Sequence, residues 1–188
     1  ARTVTNSNTI NKIVVPVHEV YALPQATQSI LDDAGMDIEA WHAGKVAEQF
    51  ARDEATAFVT GSGSSRPRGF TTYASGTSFG QIEQIASGSA AALTANGLID
   101  LQVALFEPFQ KNATWLMRRA TAGAVRKLVQ GTGDYLWSVD RGLSGAPQDN
   151  LLGRPVRFAA DVAAVAAAAL AVAYGDFKAG YLIVDRVG

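Results

Sequence analysis

The residues of this chain that could do chemistry are few. The 188 residues contain no cysteine, which excludes a disulfide, a thiolate nucleophile and a zinc finger. There are only two histidines, His18 and His42, too few for a histidine-rich metal site. Nucleophilic catalysis would need a serine, a histidine and an acid brought together, so one of these two histidines would have to be the base.

The sequence around both histidines favours structural roles. His42 follows Trp41 inside a predicted helix, and His18 lies among valines in a predicted strand. We therefore assign no catalytic, cofactor-binding or metal-ligating residue and no cofactor, and we expect no enzyme activity. A small serine hydrolase that uses His42 or His18 is the enzymatic alternative.

A cluster of acids precedes and enters the predicted helix. Asp32, Asp33, Asp37 and Glu39 could suggest a calcium site or a glycosidase, but the spacing of a calcium-binding loop is absent. Helix capping and the helix dipole explain carboxylates at this position more simply. The net charge of −1 also lacks the basic surplus of a dedicated nucleic-acid-binding protein, so any contact with DNA should be weak and local.

His42 and the acidic cluster lie on, or just before, one long predicted amphipathic helix. Asp37 is a candidate N-cap and Gly61 a candidate end, which predicts a rod of about 35 Å. Apolar residues recur at helical spacing and form one stripe: Ile38, Trp41, Val46, Phe50, Ala57 and Phe58. The next segment, 61–69, is rich in Gly and Ser and predicts a surface loop in which Arg66 and Arg68 are solvated.

Short strands and helices follow one another irregularly in the rest of the chain, which predicts an α+β fold and disfavours a doubly wound parallel sheet. Strands are predicted at 2–24, 79–85, 113–118, 135–139, 155–158, 170–174 and 181–187. Helices are predicted at 95–105, capped by Thr94, at 122–130, opened by Thr121, and at 162–168.

The apolar residues of these elements predict the core. In the helices at 95–105 and 122–130, the inward residues are expected to be Leu98, Leu101, Val103, Leu105, Val125, Leu128 and Val129. The three tryptophans, Trp41, Trp115 and Trp137, are also expected to anchor the core. The longest apolar run, 162–174, is too short to span a membrane, which takes about 20 residues.

Several blocks of the sequence carry a family resemblance. They are QATQ at 25–28, LDDA at 31–34, DIEAW at 37–41, FARDE at 50–54, RGF at 68–70, KNATWLM at 111–117, LLGRPV at 151–156, GDF at 175–177 and YLIVDR at 181–186. In this order they resemble the spine-helix region and later segments of tailed-phage major capsid proteins of the Hong Kong 97 type. The resemblance extends from about residue 14 to the end of the chain.

The resemblance implies a Hong Kong 97-type capsid fold with two lobes. Residues 1–69 would form a peripheral lobe with the long spine helix and the returning arm of an extended hairpin, the E-loop, which in the family lies across a neighbouring subunit. Residues 70–179 would form a central, axial lobe of mixed α/β structure. Residues 180–188 would return to the peripheral lobe as a strand.

The resemblance also implies the function of a major capsid protein from a tailed phage or prophage. Copies would self-assemble into hexamers and pentamers of an icosahedral shell that encloses double-stranded DNA. The shell would belong to the virion and form in the cytoplasm of a bacterial host. The family's other partners are a scaffolding segment or protein, a maturation protease and a portal, and no membrane is expected. An encapsulin-like nanocompartment shell is the alternative within the same fold.

Overall fold

The computed structural model describes residues 14–25, 27, 35, 37–129, 137 and 150–185. Helices and strands are mixed in these residues, which confirms the predicted α+β class. The helices are α1 (Ile38–Thr60), α2 (Ala95–Ala104), α3 (Glu107–Gln110), α4 (Arg119–Arg126) and α5 (Phe177–Gly180), with a 3-10 turn at Phe70–Thr72. The strands are β1 (Thr114–Met117), β2 (Asn150–Leu151), β3 (Arg154–Phe158) and β4 (Val172–Gly175).

Helix α1 confirms the predicted rod and both of its ends. The side chain of Asp37 accepts a hydrogen bond from Ala40 N at 3.1 Å, and the N–H of Gly61 donates to Ala57 O at 2.8 Å. Its 23 residues give a length of about 35 Å. None of the described helices is both long and apolar enough to cross a membrane.

The core sits on one face of a four-stranded sheet with the order β2-β3-β1-β4. Strand β1 pairs in parallel with β3 and antiparallel with β4. Because side chains alternate along a strand, Trp115 and Met117 point to the same side, and both are fully buried. Helices α2 and α4 cover that side and contribute the remaining buried residues of this cluster together with β2 and β3: Leu98, Ala122, Val125, Leu151 and Val156.

Polar contacts fix α2 and α3 against the sheet. Nε2 of Gln102 in α2 donates to Leu152 O next to β2 at 3.1 Å, and Tyr174 OH in β4 donates to Gln110 Oε1 in α3 at 2.7 Å. The amide nitrogen of Gln110 donates in turn to Gln102 O and Leu105 O, at 2.6 and 3.0 Å. These two carbonyl groups lie at the C-terminal end of α2, so the side chain of Gln110 satisfies them and links this end of the helix to β4.

Three of the predicted core positions are wrong, because an apolar stripe does not specify what covers it. Trp41 is 47% exposed because it lies near the start of α1, whereas the buried residues of this helix, Ala57 and Val59, lie at its far end. Val103 is 74% exposed because it lies on the side of α2 opposite to Leu98 and Leu101. Val129 lies beyond the end of α4 and is half exposed. Trp115 is buried as predicted, and Trp137 packs against the core.

Several predicted elements also differ from the structure. No strand forms at 14–25, 79–85 or 181–185, because a strand needs a paired neighbour and in these ranges only Ile82 makes a bridge, with Ser75. Residues 162–168 form turns and bends, and the predicted strand at 170–174 begins at Val172. Helix α4 begins at Arg119, two residues before the predicted opening at Thr121. The rest of the predicted strand at 2–24, residues 186–187 and the strand at 135–139, apart from Trp137, lie outside the described residues.

Candidate assembly surface

Helix α1 carries a charged outer surface along its middle turns. Nζ of Lys45 lies 3.1 Å from a carboxylate oxygen of Glu48, and Arg52 pairs with the other oxygen of the same group. The hydrogen bond from Lys45 and the charge of Arg52 lower the pKa of Glu48. Gln49 donates to Asp53 at 3.0 Å one turn further on. The pairs follow the three- and four-residue spacing of a solvated helix face.

The far end of α1 is the point at which the rod is attached to the rest of the chain. Thr71 donates to Val59 O at 2.6 Å and Thr72 donates to Gly61 O at 3.2 Å, so hydroxyl groups satisfy carbonyls at the helix end. The N–H of Gly69 also donates to Gly61 O, at 2.9 Å. A side chain at Gly69 would place its Cβ only 2.4 Å from the backbone of Val59, so this close approach requires glycine.

Residue Tyr181 brings the end of the described chain back to this attachment point. Its hydroxyl donates to Arg68 O at 2.7 Å, and its ring lies 6.4 Å from Phe58 and 6.5 Å from Phe70. Burial and, to a smaller extent, the neighbouring Tyr73 raise the pKa of Tyr181. The segment after α5 is therefore packed against the end of α1 although it forms no strand there.

The arginines of the loop at 61–69 are exposed, as predicted. The guanidinium of Arg68 lies 4.2 Å from the centre of the Tyr73 ring and donates to Thr72 O at 3.4 Å. Arg68 is thus held within its own chain by a cation–π contact. Arg66 is exposed at the tip of the loop.

The residues that could do chemistry are not brought together. His42 lies edge-on to Trp41 with ring centres 5.1 Å apart, and Nε2 of His18 is buried without a hydrogen-bond partner. No group of three or more potential metal ligands occurs among the described residues. Asp37 caps α1 as predicted, and Asp176 caps α5 by accepting hydrogen bonds from Lys178 N and Ala179 N. Asp32 and Asp33 lie outside the described residues.

The sequence Gly-Thr-Ser-Phe-Gly at 76–80 is the one signal in the chain that could have pointed to a hydrolase, because it has the spacing of a nucleophile elbow. In that elbow the serine lies between a strand and a helix, whereas residues 76–80 form an exposed bend and turn. The N–H of Ser78 donates to Gln81 Oε1 at 3.4 Å, and in the described part of the chain no hydrogen bond joins Ser78 to a histidine. The geometry gives the hydrolase alternative no support.

An apolar groove of about 950 Å³ is lined by the 3-10 turn, residues 81–94, α2 and residues 165–181. Its acids are Glu83 and Asp176, and its lining contains no histidine, lysine or arginine. Asp176 is occupied by its capping hydrogen bonds. The groove therefore offers mainly apolar contact area.

Most of the exposed large apolar side chains of the described residues lie in three places. The first is the segment 14–25, where Tyr21 is 90% exposed. The second is the outer side of α2 and α3, where Phe106 is 69% exposed. The third is residues 182–184. Groups of exposed apolar side chains of this kind are typical of surfaces that contact other protein.

The known proteins that this chain is similar to are capsid proteins, which agrees with exposed surfaces of this kind. The whole chain, residues 1–188, matches the phage capsid family. It is similar to the capsid of an empty GTA particle computed with C5 symmetry, at 40% identity and a TM-score of 0.80 over 87% of this chain and 57% of that chain. The capsid of the native GTA particle gives 38% identity, the same TM-score and the same coverage. The chain thus spans less than three fifths of the length of these capsid chains. A comparison with curated proteins gave no match.

Proposed function

Because the chain belongs to the phage capsid family, we propose that it is part of a major capsid protein that self-assembles into the icosahedral shell of a tailed phage or prophage. Hexamers and pentamers would form the shell and enclose double-stranded DNA. The similarity to two capsids at 40% and 38% identity carries this proposal. In a closed assembly each contact is repeated many times, so modest contacts between copies are sufficient.

The proposed division into lobes is supported by the way the structure packs. Residues 1–69 would form the peripheral lobe around α1, and residues 70–179 the central lobe. The main buried cluster lies entirely within the second range, from Leu98 to Val156. Residues 180–188 would return to the peripheral lobe, which agrees with the contact between Tyr181 and Phe58 near the end of α1.

We further propose a structural and not a catalytic role, in the virion, with assembly in the host cytoplasm. Among the described residues no hydrogen bond joins His18 or His42 to a hydroxyl group, which supports this role. Scaffolding protein, maturation protease and portal are proposed partners because the family uses them. Any contact with packaged DNA would be weak, since the net charge is −1.

Electron microscopy and sedimentation of the expressed protein test the proposal. We expect capsomers or closed shells, and shells isolated from a producing cell should contain double-stranded DNA. Shells filled with an enzyme instead of DNA would favour the encapsulin-like alternative. A protein that stays monomeric at all concentrations, both as this chain and within its full-length capsid protein, would refute the proposed function.

A further inference from the structure

The outer side of α2 and α3 combines apolar and acidic residues. Ile99 and Val103 lie four residues apart on the outer side of α2, Phe106 follows the end of this helix, and all three are exposed. Asp100 and Glu107 are the exposed acids of the stretch 95–110, which contains no lysine or arginine and is followed by the exposed Lys111. We call these five residues the acidic face. At about 100° per residue, Ile99, Asp100 and Val103 point away from the buried side of α2.

The outer side of α4 and the residues after it have the opposite charge. Residues 118–129 contain three arginines and one lysine and no acid. Arg119 and Lys127 are exposed at the two ends of α4, and Val129, two residues after Lys127, is half exposed. We call these three residues the basic face. The guanidinium of Arg119 lies 4.3 Å from the ring centre of Phe158, which holds this charge in a defined place at the surface.

The two faces belong to helices whose inner sides share one core. Leu98 of α2 and Ala122 and Val125 of α4 lie in the same buried cluster against the sheet. Each helix therefore has its inner side occupied, and no described residue covers Asp100 and Val103 on the outer side of α2 or Arg119 and Lys127 at the two ends of α4. The exposed apolar stripe supplies contact area, and the opposite charges supply orientation.

We propose that the acidic face of one copy docks on the basic face of the neighbouring copy within a capsomer. This inference rests on the proposed shell function and adds the surfaces that hold the ring together. Two acidic faces in contact would bring Asp100 and Glu107 against their own copies, which is repulsive, so a two-fold contact through this face is disfavoured. A contact between two different faces of successive copies closes into a ring when the rotation closes.

Charge reversal on each face tests the proposal on the full 188-residue chain. The first variant carries Asp100→Lys with Glu107→Lys, and the second carries Arg119→Glu with Lys127→Glu. Each variant presents like charges to its own copies, so sedimentation should show at least a tenfold loss in association. A control with Glu54→Lys and Glu83→Lys makes the same charge change as the first variant at two exposed residues outside both faces, and it should associate as the wild type does.

An equimolar mixture of the two charge-reversed variants gives the decisive test. In an equimolar mixture, the reversed acidic face of the first variant meets the reversed basic face of the second, so association should return. Because the two variants must alternate, the mixture should give rings with an even number of copies. The chain with all four reversals should also associate. Raising the salt concentration should weaken the wild-type contact, since exposed charges are screened.

The outcomes separate this inference from the proposed function. If the wild type assembles and both reversed variants assemble equally well, the inference is wrong and the shell function stands. Folded variants whose mixture fails to associate would overturn it as well. If a reversed variant does not fold by circular dichroism, the neutral pair Asp100→Asn with Glu107→Gln replaces it and should give a smaller loss. A wild type that never associates, both as this chain and within its full-length capsid protein, would refute both proposals.

Discussion

Replacing Trp115 with phenylalanine should destabilise the protein far more than the same replacement at Trp41. Trp115 is fully buried, its Nε1 donates to Leu151 O at 2.9 Å, and its ring centre lies 4.3 Å from that of Tyr174. Phenylalanine leaves the buried carbonyl without this donor, which costs about 1–3 kcal/mol. The unfilled space left by the smaller ring adds about 1–2 kcal/mol.

A total near 3 kcal/mol should lower the melting temperature by about 6–12 °C for a chain of this size. Thermal and urea unfolding followed by circular dichroism measure the effect. Trp41→Phe is the matched control, because Trp41 is 47% exposed and an exposed substitution changes stability by no more than about 0.5 kcal/mol. The reasoning is refuted if Trp115→Phe costs less than about 1 kcal/mol, or if both variants lose the same stability.

Three further measurements check the packing at Gly97, the N-cap of α1 and the titration of Tyr181. Gly97→Ala would place a Cβ 2.7 Å from the backbone of Ser87 and should cost about 1–3 kcal/mol of stability. Gly44→Ala places a Cβ with nothing within 4 Å and should stabilise α1 by about 1 kcal/mol. Equal urea midpoints for the two variants would contradict this prediction. Asp37→Ala removes the N-cap of α1 and should cost about 1 kcal/mol with a loss of helical signal, and an unchanged melting curve would rule out the capping role. Burial and then Tyr73 raise the pKa of Tyr181, so its contribution to stability is complete below its unfolded pKa of about 10 and is lost as the pH rises through the higher folded pKa. Urea unfolding should therefore show a smaller loss at high pH for Tyr181→Phe than for the wild type, and identical losses would disprove the assignment.

Local signals in the sequence predicted the elements whose bonds are themselves local. Asp37 and Gly61 mark the ends of α1, and Thr94 caps α2 by accepting from Gly97 N at 3.0 Å. Each of these contacts joins residues three or four apart, so their spacing in the sequence contains the information. The strand at 155–158 was predictable for a related reason, since Val156 and Phe158 alternate with polar Arg157 at the period of a strand.

The pairing of strands and the burial of apolar side chains by other elements could not be predicted in the same way. The segment 14–25 has the composition of a strand and forms none, because the described part of the chain offers it no paired neighbour. Trp41, Val103 and Val129 have the apolar character of core residues, but no described element covers them fully. Whether His18 or His42 meets a serine is likewise decided by contacts between distant parts of the chain.

The sequence by itself determined the α+β class, the rod with its two capped ends, the absence of cysteine chemistry and the resemblance to a capsid family. Periodicity, capping and composition are sufficient for these, because they act within a few residues or are properties of the whole chain. Only the tertiary structure decided that α2 and α4 share one core and expose faces of opposite charge. That arrangement depends on the parallel pairing of β1 with β3 across about forty residues, and no local preference encodes such a long-range contact.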